Sequence, residues 1–226
     1  MLMHRKTLGT VAYMGGVAAV LEKFAWSWGQ MVQFNAENMR SGEQIHYARA
    51  TASYHAYARN ELAENMIGDW LLMLDTDHEF EPDLVIRMVE LAQKNKLRIL
   101  SAMYQYKGWP YAPVAFGGTP GERRQITDWS DGMKAFRIAS AGAGSLLVCR
   151  DVFQEIREKL HELPFDPIPP IGEDHSFFSR AGRCGIAAWC SADIQSHHLE
   201  IRPVSLELYD RPGLAASGGT AVEGLQ

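Results

Sequence analysis

Four acids, one arginine and a histidine pair carry the chemistry this chain can offer. Asp75-Thr76-Asp77 comes directly after Trp70-Leu71-Leu72-Met73-Leu74 and is followed by His78. Carboxylates at i and i+2 of an extended segment project to the same side. Asp75 and Asp77 could then share a divalent cation, or one could hold it while the other takes a ribose or sugar hydroxyl. Hard oxygen ligands suit Mg²⁺ or Mn²⁺, ions that sit between protein carboxylates and substrate phosphates. A plain acidic turn is the competing reading, because Asp is a common turn residue.

Glu173 and Asp174 stand where a helix begins. Acids there can serve the helix dipole or supply a general base. Arg59, within Ala58-Arg59-Asn60, is either a solvated helix residue or a cation aimed at a nucleotide phosphate or base. His197 and His198 are adjacent. Neighbours on a strand face opposite ways, so the two are not expected to bind one ion.

The elements that position these groups follow from periodicity. The five apolar residues 70–74 suit a strand buried on both faces, and α/β sheets bind ligands beyond the carboxyl ends of such strands. Thr10–Tyr13 is β-prone, Gly15-Gly16 breaks it, and Val17, Val20, Leu21, Phe24 and Trp28 fall at helical spacing. A polar connection over 35–43, a short strand at Ile45–Tyr47 and a helix over Ala48–Met66 are expected next. Glu81-Pro82-Asp83 opens another helix, with Pro82 suited to its first turn, and Ile99–Met103 returns as a strand. Residues 104–134 read as a long loop carrying Trp109, Trp129 and several glycines and prolines. A loop of that length in a compact domain points to function, although its aromatics could equally pin it to the core. Small residues 141–144, Gly144 among them, leave room for a ligand near the backbone or for tight packing. Strand Leu146–Val148, a helix from Asp151, the helix at Glu173-Asp174, strand Ile186–Cys190 and a stretch 193–199 complete the pattern. Alternation of strand and helix argues for an α/β sheet.

With 226 residues the chain can bury a full core as one domain. A net charge of −5 gives no overall basic field to draw nucleic acid. Three cysteines without paired metal spacing suggest a reducing compartment. The basic and apolar start imitates a signal peptide only loosely, and no apolar run reaches the ~20 residues that span a bilayer. A cytoplasmic protein is the expectation, with 1–203 as one domain and 204–226 as a flexible tail.

In order and spacing these pieces resemble the GT-A fold glycosyltransferases, most similarly the family 2 type. The resemblance rests on Ala58-Arg59-Asn60, on the apolar strand ending in Asp75-Thr76-Asp77, and on Phe80, Pro82 and Asp83 after it. It extends to Gly142-Ala143-Gly144 through Arg150-Asp151-Val152-Phe153, then to Glu173-Asp174-His175-Ser176-Phe177 and a closing histidine, His198 before Leu199 or alternatively His197. The match runs over about residues 10–200. The opening strand departs from the family, lacking the usual Val/Ile run ending in Pro-x-Tyr/Phe-Asn.

The resemblance implies a Rossmann-like, mostly parallel mixed sheet flanked by helices and a hexosyltransferase-type activity. A sugar would pass from a nucleotide-diphosphate donor, UDP favoured, to an acceptor hydroxyl with inversion. Mn²⁺ or Mg²⁺ would be held by Asp77 and His198, with Asp75 contributing. Tyr13, Arg59, Asp75, Thr76, Asp77 and Gly144 would receive the donor, and Asp174, aided by Glu173, would be the base. The acceptor stays open among a glycan, a lipid-linked glycan, a protein and a modified nucleobase. A retaining enzyme and a non-catalytic nucleotide-sugar-binding scaffold are the alternatives. A haloacid-dehalogenase-type phosphohydrolase should carry its Asp motif on the first strand. A sugar nucleotidyltransferase should open with an Arg- and Lys-bearing glycine loop. Neither pattern is present.

Overall fold

The computed structural model describes residues 5–15, 21–51, 54–118, 123–128 and 134–200. In chain order the elements are β1 (Lys6–Met14), α1 (Glu22–Asn38), β2 (Glu43–Ala50), α2 (His55–Asn65), β3 (Trp70–Leu74), β4 (His78–Phe80), α3 (Leu84–Asn95) and β5 (Ile99–Met103). Then come β6 (Ala115–Gly117), β7 (Arg124–Gln125), β8 (Ala135–Ile138), β9 (Ser140–Ala141), β10 (Ser145–Cys149), α4 (Arg150–Leu160), α5 (Glu173–Arg183) and β11 (Ala188–His198).

The main sheet runs β2-β1-β3-β10-β5-β11-β4, with β8 paired to β11. Strands β2, β1, β3, β5 and β11 share one direction and β10 opposes them. The sheet is therefore mixed and mostly parallel, flanked by helices, as expected. Alternation along each strand sends side chains to two separate cores. Leu71 and Met73 of β3 join α2, α4 and α5 through Leu62, Phe153 and Phe177. Trp70, Leu72 and Leu74 join α1 and α3 through Phe24, Met31 and Met88. A strand buried on both faces needs a continuous apolar run, which is why residues 70–74 carry no polar side chain.

Several boundaries differ from the sequence expectation. Helix α1 continues through Asn35, and Val17 and Val20 lie outside the described residues. Residues 48–50, expected in a helix, belong to β2, where Ala48 and Ala50 pair with Ala12 and Met14 of β1. Alanine's helix propensity is overridden there by ladder pairing against a central strand. Pro82 precedes α3, for which Asp83 is the N-cap, and α4 starts at Arg150 after Cys149. The stretches 186–190 and 193–199 are largely one strand, β11, with a register irregularity between Cys190 and Gln195. The long loop contains β6 and β7, which join β9 in a small second sheet. The expected tail 204–226 lies outside the described residues.

The most consequential correction concerns Asp75-Thr76-Asp77. The segment is a turn, closed by a bond from the His78 N–H to the Asp75 carbonyl (3.3 Å), and not an extended strand end. The two carboxylates therefore diverge to different partners.

Candidate active site

The turn between β3 and β4 brings two polar clusters together. In the first, Arg59 reaches across from α2. Its side chain is only 3% exposed, and its donors go to Asp75 Oδ1 (3.1 Å), Glu173 Oε1 (3.4 Å) and the Ala143 carbonyl (3.0 Å). Burial alone would weaken the guanidinium charge, but the Asp75 and Glu173 carboxylates more than restore it. Arg59 thus ties the β3 turn to the start of α5. Protein oxygens take donors from all three of its nitrogens.

The second cluster is Asp77, His78 and His198, whose ligand atoms lie within 4.8 Å of one another. The antiparallel pairing of β4 with β11 sets His78 directly opposite His198. Cross-strand neighbours share a face, and their rings stand 4.7 Å apart. His198 Nδ1 lies 3.0 Å from the Gln105 carbonyl. A carbonyl only accepts, so that nitrogen carries a hydrogen and Nε2 is the ring atom turned towards Asp77. That Nε2 is 3.4 Å from Asp77 Oδ2. Two electron-rich atoms held this close call for a proton or a cation between them.

His78 is fully buried. Its Nδ1 is 2.9 Å from Ser196 Oγ, while Nε2 has no hydrogen-bond partner and lies 4.0 Å from Asp77 Oδ1. Burial pushes its pKa down to about 4 against the pull of Asp75, so the ring is neutral near pH 7. Burial would also raise the Asp77 carboxyl. Hydrogen bonding with His198 and Lys107 overcomes this and holds it far below the usual carboxylate range. A Cβ on Gly144 would fall 2.6 Å from His78 Nε2 and 3.1 Å from Asp75 Oδ2. Only glycine lets the β10 approach pass this close to both clusters.

Asp174 sits in the first turn of α5 and accepts a hydrogen bond from the His175 N–H (2.7 Å). Burial, reinforced by Glu173, raises its pKa against the opposing pull of His175 and Arg59. Its charge acts on Arg59, Tyr104 and Tyr106, which places it beside the first cluster.

Of the residues singled out from sequence, the structure gathers Arg59, Asp75, Asp77, Gly144, Glu173, Asp174 and His198. His197 is exposed and pairs with Glu79. Thr76 lies in the turn without a described side-chain hydrogen bond. Tyr13 stands opposite Leu74 at the same sheet end, but its ring packs edge-on against Phe24 and Trp28. Two residues emerge only from the fold. His78 carried a visible signal, a histidine directly after two acids, hidden by the assumption of an extended segment. Lys107 carried none. It reaches Asp77 Oδ2 from a hairpin pinned by the Gln105–Pro113 bridge.

Comparison with known proteins agrees with this arrangement. The family model described as Glycosyl transferase family 2 matches residues 30–140, a span that includes Arg59 and the Asp75–His78 turn. The fold resembles A197 from STIV, at 17% identity and a TM-score of 0.54, over 85% of this chain and 86% of that one. It also resembles S. aureus TarS 1-349, at 11% identity and a TM-score of 0.52, over 84% of this chain and 60% of that one. No curated protein sequence matches. The family 2 match over residues 30–140 and the shared fold together support a family 2-like glycosyltransferase of the GT-A fold. Its chemistry is glycosyl transfer, and no described helix is long and apolar enough to cross a membrane.

Proposed function

We propose that the enzyme moves a hexose from a nucleotide-diphosphate donor to an acceptor hydroxyl, with a divalent cation held by Asp77, His78 and His198. The observation that carries this reading is the buried, unpartnered His78 Nε2 beside the Asp77–His198 contact. An orphaned buried nitrogen is costly, and a cation satisfies it together with both neighbours. Each histidine has its other nitrogen engaged, by Ser196 or by Gln105, the arrangement that orients metal-ligating imidazoles. The donor set of two nitrogens and one carboxylate fits Mn²⁺ better than Mg²⁺, which prefers oxygen. Bound there, the ion would stabilise charge on the leaving diphosphate as a Lewis acid.

The chain's own residues divide the remaining work. Asp174, its basicity raised by burial, takes the proton of the acceptor hydroxyl. The acceptor oxygen bonds to the anomeric carbon as the carbon–diphosphate bond breaks, its electron pair leaving with the diphosphate. Attack from the Asp174 side opposite the diphosphate inverts that carbon. Arg59 holds Asp75 and Glu173 in place, leaving the outer face of Asp75 for a donor hydroxyl. A UDP-sugar is the first donor to test. Three free cysteines are consistent with a cytoplasmic setting.

A second reading has one observation in its favour. The Lys107 ammonium is already paired with Asp77, and could stabilise the diphosphate without a metal. Donor turnover measured with Mn²⁺ and with chelator separates the two readings. Loss of turnover in chelator supports the metal, and unchanged turnover supports Lys107. Absence of turnover with UDP-, GDP- and TDP-sugars under both conditions would overturn catalysis.

A further inference from the structure

A groove of about 1020 Å³ lies along one face of α5. None of Asp75, Asp77, His78 or His198 lines it, so it is separate from the metal cluster. His175, Phe178, Ser179 and Gly182 form its α5 wall, at the i, i+3, i+4 and i+7 spacing of a single helix face. Because His175 follows Asp174, the groove leads away from the proposed base along a helix about 16 Å long.

Its lining chemistry is selective. Ile138, Ile168, Ile171, Phe178 and Ile186 supply aliphatic and aromatic surface, and three arginines, Arg123, Arg137 and Arg183, stand among them. Arg183 is paired with Glu162, whereas Arg123 and Arg137 have no ion pair among the described residues. None of the described lining residues is Asp, Glu, Asn or Gln. Sugar hydroxyls need acceptors as well as donors, and here only Ser140, Ser179 and His175 offer side-chain acceptors among a mostly apolar and cationic lining, which favours an anionic apolar ligand over a bare glycan. It suits an apolar chain carrying an anionic group. Phe116 links the groove wall to the 105–113 hairpin, contacting both His175 and Tyr106, and Trp109 at the hairpin tip is 81% exposed. An indole so placed is at home in a lipid headgroup region.

We propose that this groove seats the acceptor, and that the acceptor is a lipid-linked sugar phosphate. The hydrocarbon chain lies along α5, the phosphate meets Arg123 and Arg137, and the sugar hydroxyl reaches Asp174. This rests on the transferase reading above for the identity of the reacting end. The phosphate and chain are recognised by residues that take no part in donor binding.

Gly182 provides a clean block, since a Cβ built there meets nothing within 4 Å. The full chain is titrated with farnesyl phosphate below its micelle concentration, with farnesol and inorganic phosphate as separate arms. Wild type should bind farnesyl phosphate well above either fragment. Gly182→Trp should abolish binding, and Gly182→Ala should keep it. Losing one charge-assisted contact, Arg123→Gln or Arg137→Gln should each weaken it about tenfold or more. UDP-glucose with Mn²⁺, titrated in parallel, should bind wild type and Gly182→Trp alike, so failure of the donor reading is seen independently. Absence of farnesyl phosphate binding, or binding indifferent to Gly182→Trp, would overturn the proposal. So would competition for the groove by an acidic peptide or a phosphate-free glycan.

Discussion

Arg59 and His78 are both buried polar side chains, a few ångströms either side of Asp75, yet their circumstances are opposite. Arg59 directs its donors to Asp75, Glu173 and the Ala143 carbonyl. His78 has one nitrogen on Ser196 and the other on nothing. A fully satisfied buried ion is a fastening, and removing it exposes the cost of what it held. A buried nitrogen without a partner lowers stability, so its presence points to a ligand that arrives later. The contrast teaches that burial alone does not separate structural from functional polar groups. Accounting for every donor and acceptor does.

The two regions should break differently. The largest effect belongs to Asp174, which stands beside the Arg59 fastening without being part of it. Asp174→Asn should lower turnover by ~10²–10⁴-fold, the range for a general base, in a steady-state donor assay. Its stability should not fall. A carboxyl whose folded pKa is raised above its unfolded value costs stability once pH exceeds that unfolded value. Asp174→Asn should therefore melt at or above wild type at pH 7, and the advantage should vanish as pH falls through about 4. A lower melting temperature at pH 7 would place Asp174 among the fastenings instead.

Arg59→Met comes next. Breaking a buried ion pair by removing one partner costs about 3–5 kcal/mol, with the lower end expected because Asp75 and Glu173 keep some solvent contact. Urea denaturation measures it. Arg59→Lys should recover only part, since an ammonium cannot span two carboxylates and a carbonyl as the planar fork does.

His78→Phe sharpens the contrast. Its stability should fall by no more than about 1–3 kcal/mol, because an unsatisfied nitrogen is lost but the buried Ser196 hydroxyl loses its partner. Its Mn²⁺ affinity should drop at least tenfold, of the order seen even for lost outer-shell partners. If the variant unfolds instead, His78 is a fastening like Arg59. The smallest effect is expected of Lys107→Ala. Its ion pair with Asp77 is partly exposed and worth up to about 1 kcal/mol, so Mn²⁺ should bind up to about fivefold more tightly once the competing ammonium is gone. Weaker donor binding in this variant would support the metal-free reading.

The central strand, the flanking helices and the order of the motifs were legible because residues 70–74 and the α3 stripe obey one period over their whole length. The β2 start of the Ala-rich stretch was not, since nothing local in Ala48-Arg49-Ala50 reports that Ala12 and Met14 lie alongside. Asp77 with His198 was anticipated through the resemblance, and the fold brings them into contact. His78 was missed because its place depends on the turn at 75–77, which folds the chain back so that β4 pairs with β11. The burial of Arg59 is not legible, because sequence does not say how deeply α2 packs or which oxygens surround its guanidinium. Lys107 depends on a hairpin that only long-range pairing defines.

The measurement that bears most directly on the cluster is calorimetric titration of Mn²⁺, then UDP-glucose, into wild type and His78→Phe. One Mn²⁺ should bind wild type through Asp77, His78 and His198, donor binding should require it, and His78→Phe should lose both while remaining folded. Equal Mn²⁺ affinity in the two proteins, or donor binding to wild type undiminished by chelator, would contradict the account.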